Sequence, residues 1–130
     1  MAGKTDHLVV KAQLIEEIVY HDTHRAKKEI GPLYNFMEDC LVPGADICIH
    51  VREVKQVPPD YKSHVAPHKH KVSSVYSIIG ELTMEITLGE EKHQVTGPAS
   101  VFIPAGMSHS ARPLKGAGYL IMTEKSGKYE

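Results

Sequence analysis

The chain has no tryptophan, and aromatic residues make up only 6% of it. A platform for stacking nucleic-acid bases is therefore poorly supplied. An excess of one charge is also lacking. Fifteen Lys and Arg stand against 16 Asp and Glu, a formal net charge of -1. No overall field draws the chain to nucleic acid or to an anionic membrane. No apolar run approaches the ~18 residues that a bilayer-spanning helix needs. The start, Met-Ala-Gly-Lys-Thr-Asp-His, lacks the apolar stretch of a secretory signal. There are two cysteines, Cys40 and Cys48, too few for a disulfide scaffold. Gly-rich phosphate loop, Ser nucleophile elbow and Cys-x-x-Cys are all missing. The expectation is a cytoplasmic protein with two reduced, simply packed thiols, no membrane and no nucleic-acid partner.

What is present is histidine, nine of them in 130 residues and scattered rather than clustered as in a tag. A His-rich soluble chain points to a metal site or to acid–base chemistry. The length suits one domain with one core, and 42% hydrophobic residues can fill it.

Residues 1–44 carry weak and conflicting signals. Leu8-Val9-Val10 reads as a short strand. Leu14, Ile15, Ile18 and Val19 fit one helical face, but Ile18-Val19-Tyr20 fits a strand equally well. Gly31-Pro32 and Pro43-Gly44 punctuate. We read 1–44 as an N-terminal extension packed on the rest, with residues 8–20 able to swap onto a second copy.

From residue 45 onward alternation takes over. Ile47, Ile49 and Val51 alternate with Cys48, His50 and Arg52. Strands follow over Ser74–Ile79, Leu82–Leu88, Lys92–Val95, Val101–Ile103 and Tyr119–Met122, with turns at Gly80, Gly89, Gly97-Pro98 and Gly106. Short strands broken by turns every ~8–12 residues argue for an all-β sandwich or barrel. Residues 45–123 form that barrel in this reading, and 124–130 a polar, disordered tail.

Two local features could carry chemistry. His68-Lys69-His70 places two imidazoles on one face of an extended chain, close enough to share an ion. A solvated loop would carry the same pattern. Pro104-Ala105-Gly106-Met107-Ser108-His109 is a stiff turn aiming one histidine, or a turn with an exposed histidine. His64 is a further candidate ligand, and Ser74, which shares parity with His68 and His70, could hold a metal-bound water. Arg52 could grip a substrate anion with its planar fork, if its side of the strand faces inward. Tyr76 could donate a hydrogen bond to substrate, or simply pack. His21, His24 and His93 read as surface, and Met107 as a side chain to watch beside His109.

Together the two features resemble the cupin superfamily. That family carries a Gly, five residues, His-x-His, three or four residues, Glu, six residues, Gly. Its second motif is a Gly, five residues, Pro-x-Gly, two residues, His, three residues, Asn. Here His68, His70 and Gly80 match the first motif, and Gly97, Pro104, Gly106 and His109 the second. Val75 to Leu82 and Val101 to Gly106 are also cupin-like. There are departures. The first motif Gly falls at Lys62, the Glu at Ser74 or Val75, and the Asn at Pro113. Gly80 comes early, and Gly97 stands one residue too far from Pro104.

The resemblance implies an all-β, double-stranded β-helix or jelly-roll barrel. It implies a divalent transition metal held by His68, His70 and His109, with Fe(II) favoured over Ni, Zn, Cu or Mn. It implies a dry cavity lined by residues such as Val75, Tyr76, Ile78, Met84, Phe102 and Ile103. The missing Glu leaves either the all-histidine set of some cupin dioxygenases or a cupin without its metal. The expected functions are an Fe(II) oxygenase acting on a small molecule, a redox-neutral lyase, isomerase or cyclase, or a non-catalytic ligand binder. A homodimer is expected, as for cupins of this size.

Overall fold

The computed structural model describes residues 3–129. Nine strands carry it: β1 Gln13–Leu14, β2 Leu33–Met37, β3 Cys48–Val54, β4 Ser74–Ile79, β5 Thr83–Leu88, β6 Glu91–Thr96, β7 Ala99–Ile103, β8 His109–Lys115 and β9 Gly118–Glu124. They form two antiparallel sheets, β1-β2-β3-β9-β4-β7 and β6-β5-β8. The core fills the space between them.

In β3, β4, β8 and β9 the inward parity runs from polar to apolar along one direction. In β3 it reads Cys48, His50, Arg52, Val54; in β4, Ser74, Tyr76, Ile78. Antiparallel β9 reverses the order, so Glu124 pairs opposite Ser74 and Leu120 opposite Ile78. In β8 the run is His109, Ala111, Pro113. One end of the barrel is therefore closed by Val54, Ile78, Leu82, Met84 and Leu120, all buried. Each such side chain contributes ~1.5–3 kcal/mol on burial. The other end is a mouth lined by histidine, serine, thiol and carboxylate.

This settles the facing of β3. Its polar parity points inward, and Ile47 is exposed. Two residues expected in the cavity face out instead. Phe102 is 62% exposed, and Val75, its cross-strand partner, shares its outer face. Tyr76, Ile78, Met84 and Ile103 are buried as expected.

Among the described residues before position 45 there is one α-helix, α1 Thr23–Glu29, later than the 14–19 face suggested. Tyr20 takes a left-handed φ of 69°, which interrupts any helix running through 18–20. Asp22 then caps α1, accepting from Arg25 N at 3.2 Å. Ala26 and Ile30 bury its inner side. Leu8 and Val9 are exposed, with Asp6–Leu8 a short 3-10 turn rather than a strand. β1 and β2 extend the chain's own larger sheet.

The β8–β9 turn depends on Gly116. Its φ is 90°, and a Cβ there would lie 2.1 Å from the Glu81 carbonyl oxygen. Gly116→Ala combines left-handed strain with a backbone clash, and should cost about 3 kcal/mol or more. Gly89→Ala, at φ 60° with nothing within 4 Å, should cost only about 1–2 kcal/mol. Urea denaturation of the two variants checks this; equal losses would contradict it.

Candidate metal centre

Backbone hydrogen bonds stitch the two histidine segments together at the mouth. His68 N–H donates to His109 O at 3.0 Å, and His109 N–H to His68 O at 2.8 Å. Gly106 N–H donates to His70 O at 2.8 Å, so the Pro-x-Gly turn is tied to the third histidine. The three rings are buried. Their centroids lie 4.8 Å (68–70), 4.6 Å (68–109) and 5.0 Å (70–109) apart. With metal–nitrogen bonds of ~2.0–2.1 Å, imidazoles meeting an ion at ~90–100° would have centroids about 4.6–5.0 Å apart. The spacing fits one shared ion.

The ring nitrogens agree. His109 Nδ1 donates to Met107 O at 3.0 Å, and its Nε2 is buried without a partner. His68 Nδ1 donates to Ala66 O at 2.7 Å, which leaves the Nε2 lone pair to accept from Tyr129 Oη at 3.2 Å. His70 Nε2 faces Glu124 Oε1 at 3.3 Å, and its Nδ1 is buried without a partner. The outward nitrogens thus carry the protons; the inward lone pairs of His70 and His109 are unpartnered, and a metal would take that of His68 from the Tyr129 hydroxyl. A carboxylate behind a histidine fixes the tautomer and raises ligand basicity.

That carboxylate was not visible at the motif position. Ser74 stands where the family has Glu, buried and with Oγ unpartnered. Its cross-strand neighbour is Glu124. The acidic group comes from β9, one strand away, at a position sequence reading assigned to the tail. Tyr129 was assigned there too. It packs into the mouth instead, stacked on His50 at 5.4 Å and edge-on to His70 at 5.0 Å. Tyr20 stacks on His68 at 4.8 Å, and His21 meets the same ring edge-on. His21 therefore belongs to the site region, not to the surface.

His64 stands apart from the three. Its Nε2 accepts from Arg52 Nη2 at 3.4 Å, so its Nδ1–H is left to donate to Tyr61 Oη at 3.0 Å. Arg52 is 3% exposed, donates to Gly31 O at 2.9 Å, and has no carboxylate partner among the described residues. Burial lowers it to about 10, so it stays charged at neutral pH. Arg52, His64 and His21 line an interior cavity with Tyr76, Met84 and Met122. The histidine group adjoins it: Tyr76 lies edge-on to His109 at 5.7 Å.

Burial holds these imidazoles neutral. His70 is lowered to about 4 by burial, then by His68, His109 and His21. His21 is lowered to about 4 by burial, against a hydrogen bond to Val19. His64 falls to about 2 through burial and Arg52. An unfolded His titrates near ~6.5. Below that pH the unfolded chain binds protons that the native chain refuses. The metal-free protein should therefore lose stability from about pH 6.5 down to about 4, each group adding at most ~1.4 kcal/mol per pH unit. Denaturant midpoints measured across that range in chelator check this; a flat profile would contradict it.

No family model matches the chain, and no curated protein matches it. Solved structures do. An RmlC-like cupin from Shewanella frigidimarina is similar at TM-score 0.55 and 21% identity, over 75% of this chain and 78% of that one. This is a cupin fold. Bacillus subtilis oxalate decarboxylase, whose centres hold Mn(II), matches at TM-score 0.62 and 16% identity. The match covers 78% of this chain and 27% of the decarboxylase, so the chain spans about a quarter of that protein. KdgF from Halomonas sp. matches at TM-score 0.54 and 15% identity, over 75% of this chain and 82% of that one. His68, His70 and His109 form a group that could hold a metal ion within this cupin barrel. No helix among the described residues is long and apolar enough to cross a membrane.

Proposed function

We propose that the chain is a metal-dependent cupin acting on a small organic acid, with His68, His70 and His109 as ligands. We assign Fe(II) as the metal and O₂ as co-substrate. The observation that carries this reading is Arg52. A buried guanidinium without an anionic partner is costly unless something else supplies the anion. It lines a cavity of about 20 Å³, room for one water, beside the three-histidine group, so the acid must widen this cavity to reach the metal.

Three neutral ligands leave a divalent ion with its full charge and with open positions, the arrangement of catalytic rather than structural sites. Imidazole ligation suits iron among several metals. Fe(II) bound there would supply the redox chemistry that O₂ activation needs. The chain's own residues do the rest. Arg52 binds and orients the substrate carboxylate through its remaining N–H groups. Glu124 holds the His70 ring. Met84, Met122 and Tyr76 keep bulk water from the cavity.

A redox-neutral lyase or isomerase would use the same residues, with Mn, Zn or Ni acting as Lewis acid. The likeness to Mn-containing oxalate decarboxylase favours it at the level of fold only. The test is O₂ uptake by Fe(II)-loaded protein against a panel of small 2-oxo and dicarboxylic acids. Uptake that depends on one acid is expected. Turnover under argon with Mn, Zn or Ni would replace the oxygenase by the redox-neutral reading. If no acid binds at all, both fail and a non-catalytic barrel remains.

A further inference from the structure

A second convergence of ligand atoms lies beside the first. His50 Nε2 is 3.5 Å from Cys48 Sγ and 2.5 Å from Glu38 Oε1, and Cys48 Sγ is 3.7 Å from Glu38 Oε1. Cys48 and His50 are buried on the inward side of β3.

The arrangement is not a nucleophile–base relay. In a relay the thiol and the carboxylate engage opposite nitrogens of the imidazole. Here both converge on Nε2. Convergence on one point is what a shared cation requires. In a tetrahedral site with metal–sulfur ~2.3 Å and metal–nitrogen ~2.0–2.1 Å, the sulfur–nitrogen edge is about 3.6 Å. The observed sulfur distances are already near that value. Only the His50–Glu38 contact must open, by somewhat less than ~1 Å.

The fold builds this placement deliberately. β2 pairs Asn35 with His50 and Met37 with Ile49, so Phe36 is an extra residue in a bulge. Without the bulge Glu38 would fall on the outer parity. With it, the residue after Met37 turns inward opposite Cys48. Asn35, paired opposite His50, also keeps its amide oxygen buried without a partner. Burial and the Glu38 and Glu124 carboxylates push the Cys48 thiol well above its ordinary value. Glu38 has His50 as its ion-pair partner and no Lys or Arg within 4 Å among the described residues. A negative, thiol-bearing pocket of this kind is relieved by a cation.

We propose that Glu38, Cys48 and His50 form a second metal site, distinct from the three-histidine group, for a thiophilic divalent ion, with zinc the best match. Thiolate, imidazole and carboxylate together are a zinc-type donor set. Binding replaces the Cys48 thiol proton, which leaves to solvent. The proposal does not depend on the three-histidine site, because the sulfur gives it a separate signature.

The test is Co(II) titration of the metal-free protein, read in the near ultraviolet where thiolate-to-cobalt charge transfer absorbs. A band is expected in the wild type, unchanged in His109→Ala and in Cys40→Ala, and bleached by added Zn(II). The chain has two cysteines, so persistence in Cys40→Ala assigns the sulfur to Cys48 without mutating it. Folded Cys48→Ser should lose the band and one equivalent of bound cobalt. Absence of the band in folded wild type or His109→Ala would overturn the proposal. So would a band that disappears in Cys40→Ala.

Discussion

His109→Ala is expected to abolish tight metal binding, raising Kd by at least about 10³-fold. The variant removes an Nε2 that is buried and aimed without a partner at the point His68 and His70 share. Two imidazoles remain where three are needed. The backbone bridge between His68 and His109 needs no side chain and should survive. Fold loss is therefore not the expected cause. Linkage gives a second readout. At free metal about 1,000-fold above Kd, the wild type should gain ~4.1 kcal/mol, and the variant almost nothing. Glu124→Gln keeps all three ligands and loses only the carboxylate behind His70. It should weaken binding by about 10–100-fold. Calorimetric titration with Fe(II) or Mn(II) ranks the three proteins; equal affinity across them would remove the triad from the account.

The second large effect is expected at Arg52. Arg52→Met should raise KM for the acid substrate by about 10²-fold or more, since a desolvated charge pair contributes ~2–5 kcal/mol. Metal affinity should not change. Stability should move by no more than ~1 kcal/mol. The variant gives up hydrogen bonds to Gly31 and His64 but also removes a buried charge that no carboxylate among the described residues balances. Arg52→Lys should rescue little, because an ammonium lacks the planar fork. Steady-state kinetics with urea melts decides between roles. A large stability loss with unchanged KM would make Arg52 a structural residue.

The sequence was most legible where one periodicity dominated. β4 was read with the bounds the structure has, and β5, β6, β7 and β9 to within one or two residues. β8 was missed because Arg112, Pro113 and Lys115 break its alternation. β2 was missed because apolar and aromatic residues occupy both its faces and a bulge shifts its parity. The triad could be read because two motifs stand in order along the chain. Glu124, Tyr129, Tyr20 and Glu38 could not, because strand pairing and bulges bring them in from distant segments. No spacing in one sequence records that Ser74 lies opposite Glu124. β3 shows the limit of alternation itself. Alternation alone left its inward side open, and the structure turns Cys48, His50 and Arg52 to the interior. A functional interior inverts the usual assignment.

The most direct measurement is an anomalous-difference map from crystals of chelator-free protein, soaked with Fe(II) or Mn(II). The account predicts a peak bonded to His68 Nε2, His70 Nδ1 and His109 Nε2, with the Arg52 cavity adjoining it. No peak among those three nitrogens, after soaking with each metal, would contradict it.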